Sequence, residues 1–450
     1  MEEIVNVKSQ LKISLPIAFE SLINILMTLV DTLVISIVGT KELAALGAMA
    51  VILNIMQMSI QTINVSNNTL VAKSLGEKNL DKLKLVTGNS LILTLVISIF
   101  TLILIFLIQP IFPPLFNVDT ISTTYLTIRL FGFIQSSIVT VLSGHQRTIG
   151  NQKNILYLRI FAVILNLILD IITVHYGYGI IGVGMVTIFI DTILAIYLCI
   201  YSRKNVKIRF VNEYFKDILK LFKWNFVDRI ASRVDNFIFN LIVARMGNLE
   251  YSVHVILLQI ANVYESFIQG YGDGITISIG IASGKNDKNY MSKVKTVAKK
   301  LINYSSIILP FVILGISIVI MNISLKKPEL QKIFLTVLPL FLIGCYITMS
   351  ATYYFAILRG LRDFKFLAKR NIISSIIKIV VATILSFTPL GIVGVWIGYL
   401  VYGIMQKVLS KRRYENISIE SESSFIIQQY LRYDGTINAV QRYTASIPSP

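Results

Sequence analysis

The chain has 450 residues, 54% of them hydrophobic and only 15% charged, against roughly 25% charged in an average soluble domain, and its mean hydropathy is +0.71. The net charge of +18 would suit a nucleic-acid binder, but its distribution excludes one. The basic residues gather in alternate connections between apolar runs, as basic residues do on the cytoplasmic side of a membrane.

In chain order, apolar runs near the roughly 20 residues needed to span a bilayer fall at 11–37, 43–72, 87–108, 122–143, 154–174, 180–201, 222–245, 251–282, 297–321, 332–357, 370–388 and 391–409. The predicted fold is an all-α polytopic membrane protein of about twelve transmembrane helices. The first run lacks a small-residue cleavage site, so it reads as a retained span rather than a signal peptide. Arg203, Lys204, Lys207, Arg209, Lys216, Lys220 and Lys223 lie between runs six and seven; Lys285, Lys288, Lys293 and Lys295 follow run eight; Lys411, Arg412 and Arg413 follow run twelve. The "QPIFPPLFNVDTIST" connection at 109–123 holds no base. This asymmetry predicts a multi-pass protein of the cell membrane with both termini cytoplasmic. Cys199 and Cys345 fall inside helices, and His145, His175 and His254 are scattered. Neither a disulfide framework nor a Cys/His metal site is suggested, and no nucleophile constellation forms, so an enzyme is not expected.

The sequence repeats itself. At a shift of 208, "GTKEL" at 39–43 meets "GNLEY" at 247–251, and "LGEKN" at 75–79 meets "SGKND" at 283–287. Later in each half the shift is 212: "RTIGNQK" at 147–153 meets "RGLRDFK" at 359–365, and "GIIGVG" at 179–184 meets "GIVGVW" at 391–396. A six-span unit returns the chain to its starting side, so the halves are parallel repeats with a binding site expected between them. The expected division is an N-lobe at 1–210, a C-lobe at 211–413 and a polar, disordered tail at 414–450, within which "SSFIIQQYLRY" at 423–433 is the one segment able to lie on a membrane surface.

Polar residues interrupt the apolar spans in register. Span two carries Asn54, Gln57, Gln61, Asn64 and Asn68, and span eight carries Gln259, Asn262, Ser266, Gln269 and Asp273. Steps of three and four keep each set on one helix face. Span one has Glu20, Asn24, Thr28 and Asp31; span seven has Asp228, Ser232 and Asn236. Two readings stand, interhelical hydrogen bonding or a hydrated central cavity, and the recurrence of the stripes in both halves favours the cavity. Asp235, Glu265, Asp273 and Lys378 add charge to the second half: Lys378 pairs with Asp235 or Glu265 as a structural ion pair, or Glu265 and Asp273 attract a cationic substrate.

Asp31 and Asp170 pose the sharper problem, because an Asp at the bilayer centre costs about 2.5–3.5 kcal/mol on insertion scales. Asn166 and Asp170 are i, i+4 neighbours, and Thr187 follows on the next span, with Asp191 one turn beyond as a further candidate. These oxygens suit a proton or a hard cation such as Na+; the alternative is a hydrogen-bonded brace. At the matching shifts the second half has Phe239, Lys378, Ala382 and Tyr399. Scaffold polar groups repeat and this set does not, which favours function over bracing.

The stretches "LVDTLVISIVGTKELAALGAMA" at 29–50, "LVAKSLGEKN" at 70–79, "RTIGNQK", "NLILD" and "ILRGLRDFK" at 357–365 together resemble the multidrug and toxic compound extrusion (MATE) transporters over about residues 8–412. That resemblance implies a V-shaped, two-lobed exporter acting as a monomer by alternating access. It would exchange H+ or Na+ for small organic, often cationic, compounds, with no cofactor beyond a sodium ion on Asp31, Asn166, Asp170 and Thr187. Its cavity would be lined by Asn24, Thr28, Asn54, Gln57, Gln61, Asn64, Asn68, Asp235, Gln259, Asn262, Glu265, Gln269 and Lys378. Span ten lacks a carboxylate, unlike the NorM-type branch, so a DinF-like arrangement with N-lobe coupling is implied. "QRTIGNQK" departs from the family's usual "LRGLGDTK". The runner-up is a lipid-linked oligosaccharide flippase of the same superfamily, whose Arg/Lys-lined cavity the amide and acid stripes here do not match, Lys378 excepted.

Overall fold

A computed structural model of the chain describes residues 6–111 and 120–434. The helices are α1 (Val7–Val38), α2 (Thr40–Gly76), α3 (Leu80–Ile108), α4 (Thr120–Phe131), α5 (Phe133–Gln146), α6 (Gln152–His175), α7 (Gly179–Ser202), α8 (Asn212–Ala244), α9 (Asn248–Lys285), α10 (Lys288–Ser324), α11 (Pro328–Gly360), α12 (Phe364–Ser386) and α13 (Ile392–Asp434). α4 and α5 are separated only by Gly132 and form one rod, so the described residues make twelve rods at the twelve expected positions. Eight stretches are long and apolar enough to cross a membrane on composition alone. α8, α9 and α12 are not among them, because they carry the Asp, Glu, Arg and Lys residues of the second lobe.

Local chemistry sets the helix ends. Asn6 caps α1 by accepting from the Ser9 amide at 2.9 Å. Asn79 caps α3 and Asp287 caps α10, and these two residues are mates at shift 208. The backbone repeats as faithfully. Lys78 (φ 56°) and Asn286 (φ 53°) are left-handed before α3 and α10, and Gly150 (φ 111°) and Arg362 (φ 68°) before α6 and α12. A left-handed Lys or Arg costs about 1–2 kcal/mol, so both copies pay for one turn geometry even where glycine was lost. Gly150 lies in a single π-helical turn, Arg147–Asn151, that joins α5 to α6.

Two hydrophobic cores result, and each borrows from the other lobe. The first, around Ile35, Met49, Leu126 and Leu198, takes in Ile218 from the start of α8. The second, around Leu257, Phe334 and Trp396, takes in Ile13 and Ile17 from the start of α1. The lobes interlock at the face where the chain begins. Glycines permit it: a Cβ on Gly270 would lie 2.2 Å from Ala18 Cα, and one on Gly284 would lie 2.1 Å from the Lys73 carbonyl oxygen. Such close backbone approach is the usual role of small residues between membrane helices. Ser278 Oγ donates to Gln10 Oε1 at 2.9 Å and Arg229 Nη1 to Gln61 Oε1 at 3.1 Å, both across the lobes. Toward the opposite face Asn24, Thr28, Asn54, Gln259 and Asn262 are exposed, so the lobes diverge there and the shape is a V.

The tail differs from expectation. α13 does not end near residue 409 but continues to Asp434, so 414–434 is helical rather than disordered; Glu and Lys/Arg at i, i+4, such as Lys411–Glu415 at 3.7 Å, support an exposed helix. Residues 435–450 and the 112–119 part of the base-free connection lie outside the described residues.

The glycine contacts make a prediction. Gly284→Leu places side-chain atoms where the Lys73 backbone runs, so the interlocked face is expected to open. Cross-linking of a Gln10→Cys/Ser278→Cys pair should fall several-fold in this background; an unchanged yield would show that the lobes do not touch there.

Candidate functional site in the first lobe and the cleft

α1 and α6 bring Asp31 and Asp170 together. Their carboxyl groups lie within hydrogen-bonding reach of each other. Asp170 and Asn166 are fully buried. Both oxygens of Asp170, Oδ1 of Asp31 and both amide atoms of Asn166 lack a hydrogen-bond partner. As two carboxylates the pair has no donor between its members, and buried unsatisfied polar atoms are costly. A single proton would turn the repulsion into an O–H···O bond. Thr187 is buried and donates to the Val183 carbonyl at 3.0 Å, which leaves its oxygen lone pairs free to accept. The four matching positions of the second half are also neighbours: Lys378 Nζ lies 4.5 Å from the Phe239 ring centroid, Phe239 lies 6.4 Å from Tyr399, and Ala382 is fully buried. One lobe fills this location with oxygens, the other with aromatic rings and a lysine.

The sequence reading of an all-oxygen cluster needs a correction. Arg129 of α4 acts electrostatically on Asp31, Asp170 and Asp191 alike, and its Nε has no hydrogen-bond partner. Asp191 does not join the Asp31–Asp170 pair; it bonds to Ser136 and shares a cavity of about 30 Å³, room for a water, with Arg129 and Gln57. Gln57 donates to Ser136 Oγ at 2.9 Å. In the sequence Arg129 is a lone arginine inside an apolar span, with nothing beside it to name the acid it faces. Among the described residues no group of three or more His, Cys, Asp or Glu forms a metal site.

The cleft between the lobes also departs from expectation. Its floor is a cavity of about 300 Å³ bounded by Met58 of α2 and by α8, α9, α11 and α12. Asp228, Arg229, Arg233, Glu265 and Arg359 supply its charge, and Phe355, Phe364 and Leu367 supply apolar wall. Of the expected lining residues, Asn24, Thr28, Asn54, Gln61, Gln259, Asn262, Glu265 and Gln269 are exposed, and of these Glu265 lines this cavity. Asn64 and Asn68 do not face the cleft. They pack on Gly144 within the first lobe, where a Cβ would collide with the Asn64 amide at 1.8 Å; α2 at that depth is enclosed by α5. Asp235 and Lys378 are likewise withdrawn from it, sealed in a 2.6 Å ion pair with both side chains under 5% exposed.

The family model MatE matches this chain twice, at residues 16–172 and 227–384. The chain belongs to the MatE family. The model thus matches once in each half of the sequence. Among relatives, the "Probable multidrug resistance protein NorM" of Thermotoga maritima is 21% identical over 320 residues, spanning 64% of this chain and 66% of that one. A structure described as the outward-facing conformation of a multidrug resistance MATE family transporter of the MOP superfamily superposes with TM-score 0.83 at 17% identity, covering 93% of this chain and 100% of the other. A MOP superfamily transporter from Pyrococcus furiosus, described as having a binding pocket of reverse polarity suggesting a different function, gives TM-score 0.82 at 18% identity over the same shares.

The sealed pair in this MatE protein gives the second prediction. Asp235→Asn or Lys378→Met alone strands a buried charge and is expected to destabilise by about 3–5 kcal/mol. The double variant should recover most of that loss. Thermal unfolding in detergent across the double-mutant cycle checks it; additive losses would mean the two groups are not coupled.

Proposed function

We propose that this chain is an ion-coupled exporter of small organic molecules, a transporter and not an enzyme, with Asp31 and Asp170 as the coupling pair and a proton as the coupling ion. The observation that carries this reading is the meeting of the fully buried Asp170 with the half-buried Asp31, with no donor between them. Coulomb repulsion between them, in a bundle where lipid replaces water, makes the site take up one positive charge readily and keep it only while it is closed. A shared proton joins the carboxyls directly, whereas a sodium ion would have to part them. Arg129 can offset only one of the three carboxylates Asp31, Asp170 and Asp191, so the group stays short of positive charge until a proton arrives. Asn166 and Thr187 would then bond to the proton-bearing pair, and Asp191 would hold Arg129 in place.

With the termini on the cytoplasmic side, as the basic connections suggest, the interlocked face is the inner one and the V opens outward. Rocking at the glycine contacts would alternate access to the cleft, a cycle that one chain can carry out as a monomer. The flippase alternative gains one argument from the arginines of the cleft. Against it stand the acid pair of the first lobe and a compact cavity in which Asp228 and Glu265 sit beside the guanidinium groups.

In proteoliposomes with an imposed ΔpH, paired cationic and anionic fluorescent probes are expected to report transport by the wild type. Asp31→Asn and Asp170→Asn should each lower the initial rate at least ten-fold while leaving gel filtration and helix content unchanged. A sodium gradient alone should drive nothing. Transport by either variant at the wild-type rate would remove the pair from coupling.

A further inference from the structure

We infer that the cleft-floor cavity is a binding site for an organic molecule bearing an anionic group, which inverts the cationic preference the family resemblance implies. This rests on the reading of the cleft as the transport pathway. The surrounding charges sort into those already engaged and those still free. Arg359 is held by Asp273 at 2.6 Å. Arg370 is buried, donates to Ser410 Oγ at 2.8 Å and acts on Asp228. Lys378 is sealed against Asp235. What remains toward the open volume is Arg229, Arg233, Glu265 and Asp228, whose Oδ1 is buried without a partner. Arg229 gives one Nη to Gln61 while its Nε is buried without a partner. Arg233 is exposed to the cleft.

With Arg370 also acting on Asp228, three guanidinium groups stand against the carboxylates of Asp228 and Glu265, and the set stays positive. A guanidinium presents paired N–H donors that match the two oxygens of a carboxylate, sulfonate or phosphate. An organic cation would instead meet the like charges of Arg229 and Arg233, while Asp228 already faces arginines. The apolar part of the ligand is provided for as well: Met58 and Phe355 border the same space, and a volume of about 300 Å³ is at the lower end of small-molecule pockets. The occupant is therefore a compact amphiphile with an anionic head and an aromatic or aliphatic body. Glu265 adds selectivity for a head that also offers a hydrogen-bond donor. The same head chemistry occurs on soluble organic anions and on anionic lipids.

Full-length protein in nanodiscs of zwitterionic lipid, with no ion gradient, separates this inference from the coupling reading, because equilibrium binding does not need Asp31 or Asp170 to work. The probes are two matched naphthalenes, one carrying a sulfonate and one a trimethylammonium group. The sulfonate should bind at least ten-fold more tightly. Arg233→Gln should weaken it about ten-fold, Arg233→Lys should weaken it less, and Glu265→Gln should strengthen it several-fold, so the result does not hang on one variant folding. Phosphatidic acid added to the disc distinguishes the sources: Arg233-dependent competition assigns the site to a lipid head, and its absence to a soluble anion. Tighter binding of the ammonium probe, equal binding of the two, or no saturable sulfonate binding overturns the inference.

Discussion

A charge inside a lipid-facing bundle must be met by another charge or by a proton, and most of this molecule's interior is arranged around that constraint. Moving an ion out of water costs several kcal/mol even after relaxation. Glu20 meets it with Arg147 at 2.7 Å and Arg159 at 3.7 Å, Asp273 with Arg359, and Asp235 with Lys378. Asp31 and Asp170 meet it with each other, which is a solution only when something else arrives. A paired acid is structure. An acid paired with another acid is short of positive charge.

Duplication explains both the frame and the exception. Helix caps and left-handed turns recur at the same offsets, because the route of the chain depends on backbone geometry that both copies retain. Side-chain partners have drifted. Arg147 and Arg359 are mates at shift 212, yet one takes Glu20 from α1 and the other Asp273 from α9. At the location of the acid pair the second lobe stacks Phe239 edge-on to Trp396 at 6.2 Å. At one location, then, the first lobe holds polar oxygens and the second an aromatic core.

Much of the frame was legible in the sequence. Long apolar runs and a repeat leave strong, redundant signals, and the i, i+4 spacing of Asn166 and Asp170 needed only helix geometry. The pairing of Asp31 with Asp170 was legible through the cost of an isolated carboxylate. Arg129 was not, because a single basic residue in an apolar span says nothing of which acid it faces. Asn64 and Asn68 were misplaced for a related reason: spacing assigns residues to a face, but only the packing of α5 decides whether that face looks into the cleft or into the bundle. Nor does spacing tell that the floor of the cleft lies at the depth of Arg229 and Arg233. The helical tail was hidden by composition, since a polar, charged segment resembles a linker as much as an exposed helix.

The acid pair and the cavity lie in different lobes, so their coupling needs a mechanical link, and α1 supplies one. Asp31 stands on its C-terminal half. Ala18, Ser14 and Gln10 on its N-terminal half pack against Gly270, Gly274 and Ser278 of α9, the helix that also brings Glu265 to the cavity. Thirteen residues separate Asp31 from Ala18, about 20 Å along one helix. On the coupling reading proposed above, a proton would turn the repulsion between the carboxyls into attraction and would move α1 against α6. α1 also places Ile13 and Ile17 in the second core, so the helix that holds Asp31 is the one that would carry that movement to α9, with Pro16 lying between Ile13 and Ile17.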